Sequence, residues 1–172
     1  LYVLDSNNNN KVLKYDPQGN FIEEWSGGSP DNTVEYPGSF YHPSDIAIDS
    51  GDNVYISAML RDRPGYNRVQ KFDSHGNYLE EWTIMANHMA FDSNDNLFAT
   101  SNYYYVHKYD QNMDLVGQWT EGDEGDPFVV TFGIAVDSED NVYVSDYEAD
   151  KILKFTNDGE FITEWGSEGT GE

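Results

Sequence analysis

The strongest constraint in this sequence is a repeat. Asp49, Asp92 and Asp137 lie 43 and 45 residues apart, and each is followed four residues later by asparagine, at Asn53, Asn96 and Asn141. Asp16, Asp73, Asp110 and Thr156 each precede a tryptophan by nine residues, at Trp25, Trp82, Trp119 and Trp165. Between these markers run short β-branched and aromatic stretches such as Ile46-Ala47-Ile48, Asn53-Val54-Tyr55-Ile56-Ser57 and Arg68-Val69-Gln70-Lys71-Phe72. Their apolar residues alternate with period two, which is a strand pattern, and the period of 3.6 expected of helices is absent.

A unit of four short strands repeating every ~40–45 residues is a β-propeller blade. The fold predicted is all-β: three complete four-stranded blades plus one partial blade. The blade segments fall at about 1–25, 44–82, 87–119 and 132–165, and the whole of 1–172 reads as one partial propeller. Within each blade the strands are named a to d. Strand a (Ile-Ala-Ile, Ile-Ala-Val) reads as buried, and strand d ends in the tryptophan. The a–b and c–d turns are short and alike, a type I turn followed by a left-handed residue. Gly19, Gly76 and Gly159 suit that left-handed place, because glycine has no Cβ to clash there. Met113 stands at the matching place of the third blade, where it is either strained or marks a different turn. Recurrence at one repeat position makes the four tryptophans core wedges between blades.

These residues resemble the NHL repeat family. Gly133-Ile134-Ala135-Val136-Asp137, Asn141-Val142-Tyr143-Val144-Ser145-Asp146 and Gly159-Glu160-Phe161 follow its pattern, and Asn67-Arg68-Val69-Gln70-Lys71-Phe72 is the best copy of its third element. The resemblance implies a ring of about six blades. The expectation is therefore a segment of such a ring, completed by further blades or by another chain. Family members bind proteins or RNA, act as sensors or carry enzymes, so the fold alone fixes no activity.

Charge narrows the classes. Lys+Arg is 9 against 32 Asp+Glu, a formal charge of −23. A binder working through phosphate neutralisation needs a basic face, so nucleic acid is excluded as a partner, and an anionic membrane surface is disfavoured. No apolar run approaches the ~18 residues of a membrane span, so no direct insertion is expected. There is no cysteine, hence no disulfide and no zinc–thiolate site. Aromatic residues make up 15% of the chain, enough to build a core despite the charge.

Topology points to one rim for function. In an up-and-down blade the d–a and b–c connections share a rim, and here they are the long, irregular ones. Loops on a rigid scaffold are where binding residues gather. The candidate ligand-binding face comprises Tyr36, Tyr41, His42, Arg61, Arg63, Tyr66, Tyr103, Tyr104 and Tyr147, with Phe40 and Phe128 on the same connections. Carboxylates at Asp31, Glu35, Asp62, Glu121, Asp123, Glu124 and Asp126 stand nearby in sequence. Aromatic platforms beside carboxylates suit a sugar, a cationic group or a basic protein segment. The competing expectation is that the aromatics fold back over the blade tops.

The leading expectation is a non-enzymatic binding module of a secreted or cell-surface protein, prokaryotic, with a protein or carbohydrate ligand and no catalytic residues or cofactor. The alternative is a metal-dependent lyase or hydrolase with its site at the propeller channel mouth. Asp45 and His88, at related places on two inner strands, are its weak metal candidates. Calcium at the Asp-x-x-Asp-Asn turns is a further option, although Asx-turn chemistry accounts for them without a metal.

Overall fold

A computed structural model of the chain describes residues 1–6, 10–27, 37–59, 67–101, 104–120, 128–167 and 169. Among the described residues all regular structure is strand. The chain divides into two units, Leu1–Ile84 and Met85–Glu172.

The first unit holds two sheets. Strands β1 (Tyr2–Asp5), β2 (Lys11–Tyr15) and β3 (Phe21–Ser26) form a three-stranded meander. Strands β4 (Pro43–Ile48), β5 (Val54–Met59), β6 (Asn67–Phe72) and β7 (Tyr78–Ile84) form a four-stranded one. The second unit holds two four-stranded meanders. One is β8 (His88–Phe91), β9 (Leu97–Thr100), β10 (Val106–Tyr109) and β11 (Leu115–Trp119). The other is β12 (Thr131–Val136), β13 (Val142–Asp146), β14 (Lys151–Phe155) and β15 (Phe161–Trp165). Every pairing is antiparallel between consecutive strands, so the architecture is three complete propeller blades and one partial blade.

The turns explain the repeat. In each c–d turn the first residue's carbonyl accepts from the left-handed residue's N–H, as in Gly76 N to Asp73 O at 3.0 Å. A register shift follows in strand c at Lys14/Tyr15, Lys71/Phe72, Lys108/Tyr109 and Lys154/Phe155, the bulge that such a turn imposes. Met113 adopts the same turn with φ +62° and is not a different one. It therefore carries the strain of a side chain in the left-handed region. In the a–b turns the left-handed residues are Asp52, Asp95 and Asp140. Each is preceded by an aspartate whose carboxylate accepts two backbone N–H groups and the following asparagine amide: Asp49 takes Gly51 N at 2.9 Å, Asn53 N at 2.8 Å and Asn53 Nδ2 at 2.8 Å. That is the physical content of the Asp-to-Asn spacing.

Each unit has its own core between its two blades. In the first, Val12 of β2 meets Val54, Ile56, Ala58 and Phe72, with Trp25, Tyr2 and Leu4 against them. In the second, Phe98 and Val106 meet Val142, Val144, Leu153 and Phe155, with Trp119 against them. Strand a is less buried than its sequence suggests. Ile46, Ile48, Ile134 and Val136 are only half-buried, whereas β5 and β9 are buried almost throughout. Strand a is an edge strand of its sheet; strand b is flanked on both sides. The tryptophans divide as well: Trp25 and Trp119 are wedges packed on the two cores, but Trp165 is 48% exposed.

Candidate functional site: an aromatic ledge in the second unit

The d–a and b–c connections sort their aromatics into two kinds. Phe40 and Phe128 turn inward and are buried. Each donates its N–H to the carbonyl just after a strand-d end, Phe40 to Gly27 at 2.8 Å and Phe128 to Thr120 at 2.9 Å. Each ring then meets a core phenylalanine edge-on, Phe72 or Phe155. These two are plugs, as the competing expectation has it, and leave the candidate face.

Other rings turn outward. Phe132, at the start of β12, is 50% exposed, and Tyr147, just after β13, is 71% exposed. Their centroids lie 6.4 Å apart, and the His88 ring lies 4.5 Å from that of Phe132. The three rings form one ledge on the b–c and d–a rim of this unit. Tyr104, 54% exposed, stands on the same rim.

The ledge is held from below. Asp146 is buried at the end of β13, and its carboxylate accepts from Val129 N at 2.7 Å, Val130 N at 3.0 Å and Ala149 N at 3.3 Å. Tyr147 N donates in turn to Val130 O at 2.9 Å. One carboxylate thus ties the segment leading to Phe132 to the turn carrying Tyr147. Thr100 Oγ1 donates to Phe132 O at 2.5 Å, which fixes β12 beside the neighbouring blade. A further register shift between Thr131 and Ile134, with Gly133 N donating to Ser145 Oγ at 2.8 Å, marks where Phe132 leaves the ladder.

Among the other sequence candidates, Tyr41 and His42 of the first unit meet edge-on with centroids 4.0 Å apart. His42 is exposed with φ +44°. Tyr36, Arg61, Arg63, Tyr66 and Tyr103 lie outside the described residues, as do the connection carboxylates named above. Arg68, the remaining arginine, pairs with Glu81 at 2.8 Å. Phe132 was absent from the sequence candidates. The signal for it existed, since a phenylalanine stands where the other two complete repeats have Ser44 and Asn87.

The metal options find little to hold an ion. His88 and Asp45 belong to different units, and the His88 ring packs on Phe132. Among the described residues no three His, Asp or Glu side chains converge. The turn carboxylates are already saturated with donors. Asp137 accepts from Glu139 N, Asn141 N and Nδ2, and Tyr143 OH at 2.9 Å, with Lys154 at 3.6 Å. The Asn141 amide, as the largest influence, holds that carboxyl far below the usual carboxylate range. Asp49 repeats the arrangement with Tyr55 and Lys71. Burial alone would raise the Asp49 pKa, but the Asn53 and Lys71 donors outweigh it. Calcium would have to displace these donors.

Comparison with known proteins supports the fold and leaves the site open. No family model matches the chain, and no curated protein matches it. Solved structures do. Virginiamycin B lyase from Staphylococcus aureus is 16% identical at TM-score 0.62, with 96% of this chain aligned to 54% of that one. The RRP9 WD40 repeats are 10% identical at TM-score 0.65, over 94% and 46%. BamB from Moraxella catarrhalis is 12% identical at TM-score 0.56, over 96% and 44%. The chain thus has the β-propeller fold and spans about half the length of these structures. They include an enzyme as well as non-enzymatic propellers, so the shared fold does not choose between binding and catalysis.

Proposed function

We propose that this chain is a non-enzymatic binding module, an NHL-type segment of a secreted or cell-surface prokaryotic propeller, that takes its ligand on the Phe132–Tyr147–His88 ledge. The observation that carries the reading is two large rings, half or more exposed, held side by side by a buried carboxylate. Exposed aromatic surface on a rigid support marks an interaction site more often than an accident of folding. The exposed Glu148 and Asp150 follow Tyr147 directly. Ring faces beside carboxylates suit a basic protein segment, whose cations can sit over the rings. A carbohydrate, which presents its C–H face to an aromatic ring, is the other ligand class that fits. The ring of blades is completed in this reading by further blades or another chain.

The test is a titration of the folded chain with a panel of Lys/Arg-rich peptides and neutral oligosaccharides, read by calorimetry. Binding that weakens at least tenfold in both Phe132→Ala and Tyr147→Ala supports the ledge, and the panel reports which ligand class it takes. Saturable binding indifferent to both variants would refute it. Metal analysis of the same sample addresses the lyase or hydrolase alternative: a stoichiometric transition metal lost in His88→Ala would favour the enzyme.

A further inference from the structure

Strand d is a terminal strand of each sheet, at β3, β7, β11 and β15. Every other residue of a terminal strand turns its N–H and C=O away from the sheet. That row invites a further strand unless something guards the edge. Three of the four edges are guarded by charge. Glu23 and Glu24 of β3 pair with Lys14 at 3.1 Å and Lys11 at 2.6 Å. Glu81 of β7 pairs with Arg68 at 2.8 Å, and Glu164 of β15 pairs with Lys151. An incoming strand would have to desolvate these charges, which disfavours its approach.

β11 has no such guard. It reads Leu115-Val116-Gly117-Gln118-Trp119, without a charged side chain. Lys108 of β10 stands opposite Gly117, where Lys14 and Lys71 stand opposite Glu23 and Glu80. Gln118, exposed and neutral, takes the place of Glu24, Glu81 and Glu164. Lys108 is drawn instead to the β14–β15 turn, where it donates to the Asn157 carbonyl at 3.2 Å. Leu115 and Val116, just before the glycine, are 53% and 57% exposed. Nothing within the chain demands a glycine at 117. It has no positive φ, and a Cβ there would come only to ordinary contact, 3.4 Å, with Lys108 Cβ. Glycine inside a strand weakens it and often marks where another backbone comes close. The register shift in strand c is common to all four blades and leaves this contrast untouched.

We infer that the outer edge of β11 receives an extended segment of a partner protein, which adds to the sheet as a further strand. Its middle is apolar, to lie beside Leu115 and Val116, and its ends are basic. Charge selects this occupant. Lys108, Lys151 and Lys154 are the only Lys or Arg between Met85 and Glu172. Each is already engaged: Lys108 as above, Lys151 with Glu164, and Lys154 with Asp137 at 3.6 Å. Carboxylates therefore dominate this unit, and the exposed Asp114 stands directly before the first residue of β11. Such a field steers a cationic segment in, and it repels a second copy that itself carries −23. In strand addition the main chain supplies affinity, while side chains choose the partner. The edge is distinct from the ledge and does not depend on it.

The probe is a short fluorescent peptide of alternating valine and threonine with paired lysines at both ends, titrated against the 172-residue chain by anisotropy. The expected result is saturable binding, with amide exchange slowed in β11 and unchanged in β3, β7 and β15. A peptide methylated at every backbone nitrogen keeps its charge but cannot donate to the edge, and should bind at least tenfold more weakly. A peptide with glutamates in place of the lysines should lose as much. Gly117→Glu writes β11 as β3 and β7 are written. It should weaken the lysine peptide at least tenfold, whereas charge attraction alone would strengthen it; circular dichroism checks that the variant folds. The absence of saturable binding would overturn the inference. So would protection outside β11, equal binding of the methylated peptide, or a folded Gly117→Glu that binds as tightly as the parent. A chain that dimerises without peptide, through an edge that Gly117→Glu closes, would also overturn it, since a second copy would then be the occupant. A ledge ligand would slow exchange around Phe132 and Tyr147 instead, so the two sites stand or fall separately.

Discussion

Alanine placed at Gly159 and at Gly19 should separate the joint between blades from the turn itself. The two glycines have nearly the same backbone, φ +86° and +83°, in turns of the same type. An L-residue in the left-handed region costs ~1–2 kcal/mol at either place. The reduced freedom of the unfolded chain, which returns ~0.4–1 kcal/mol, is also common to both. Only the surroundings differ. At Gly159 the new methyl would lie 2.9 Å from the Trp119 ring, well inside contact distance, whereas at Gly19 it meets nothing within 4 Å. Forcing a methyl into a packed site costs ~1–3 kcal/mol, so Gly159→Ala should exceed Gly19→Ala by about that amount. Gly76→Ala, with Trp25 at 2.5 Å, should match or exceed Gly159→Ala. The assay is urea unfolding of dilute protein followed by tryptophan fluorescence and far-UV circular dichroism, with m required to stay constant between variants. Equal losses at Gly159 and Gly19 would refute the view that the tryptophan seat is a structural joint.

Further outcomes follow from the same geometry. Trp119→Ala should cost ~3–5 kcal/mol. Trp119→Phe should cost much less, because the buried indole N–H it removes has no partner among the described residues to lose; comparable losses in the two would argue against that orphaned donor. Asp146→Ala should weaken any ledge ligand together with stability by ~1.5–3 kcal/mol, since it strands the N–H groups of Val129 and Val130; calorimetry and urea unfolding read the two effects. The carboxyls of Asp16, Asp73 and Asp137 lie below their usual values because of the Asn20, Asn77 and Asn141 amides. Their contribution is complete above the unfolded carboxylate pKa of about 3.9 and is lost as pH falls through the folded values, so acid unfolding should begin below that point and be less steep in Asn141→Ala, measured by fluorescence against pH. His107 is held below the usual histidine range by burial, so its contribution is complete above the unfolded pKa of about 6.5 and declines as pH falls below it; His107→Gln should flatten stability against pH in that window.

The sequence by itself determined the elements that depend on nearby residues. An aspartate four positions before an asparagine closes an a–b turn through its own carboxylate, and a glycine three positions after the first residue of a c–d turn supplies the left-handed backbone. Both are short-range chemistry, so the turns, the strand order of each meander and the propeller fold were all readable without coordinates. Even Met113 shows this, because the turn overrides its side chain. What needed the tertiary structure was the fate of side chains whose partners come from another blade. Phe40 and Phe128 sit on the same connections as the outward rings, yet they plug the cores, because Phe72 and Phe155 stand opposite them. Phe132 and Tyr147 point outward because a buried Asp146 and a bulge in β12 aim the backbone there, and neither effect has a local pattern. Trp25, Trp119 and Trp165 occupy one repeat position with one local sequence context. Trp25 and Trp119 are partly buried and Trp165 is 48% exposed, because each of the first two packs on the glycine turn of the following blade, and that turn lies a whole repeat away.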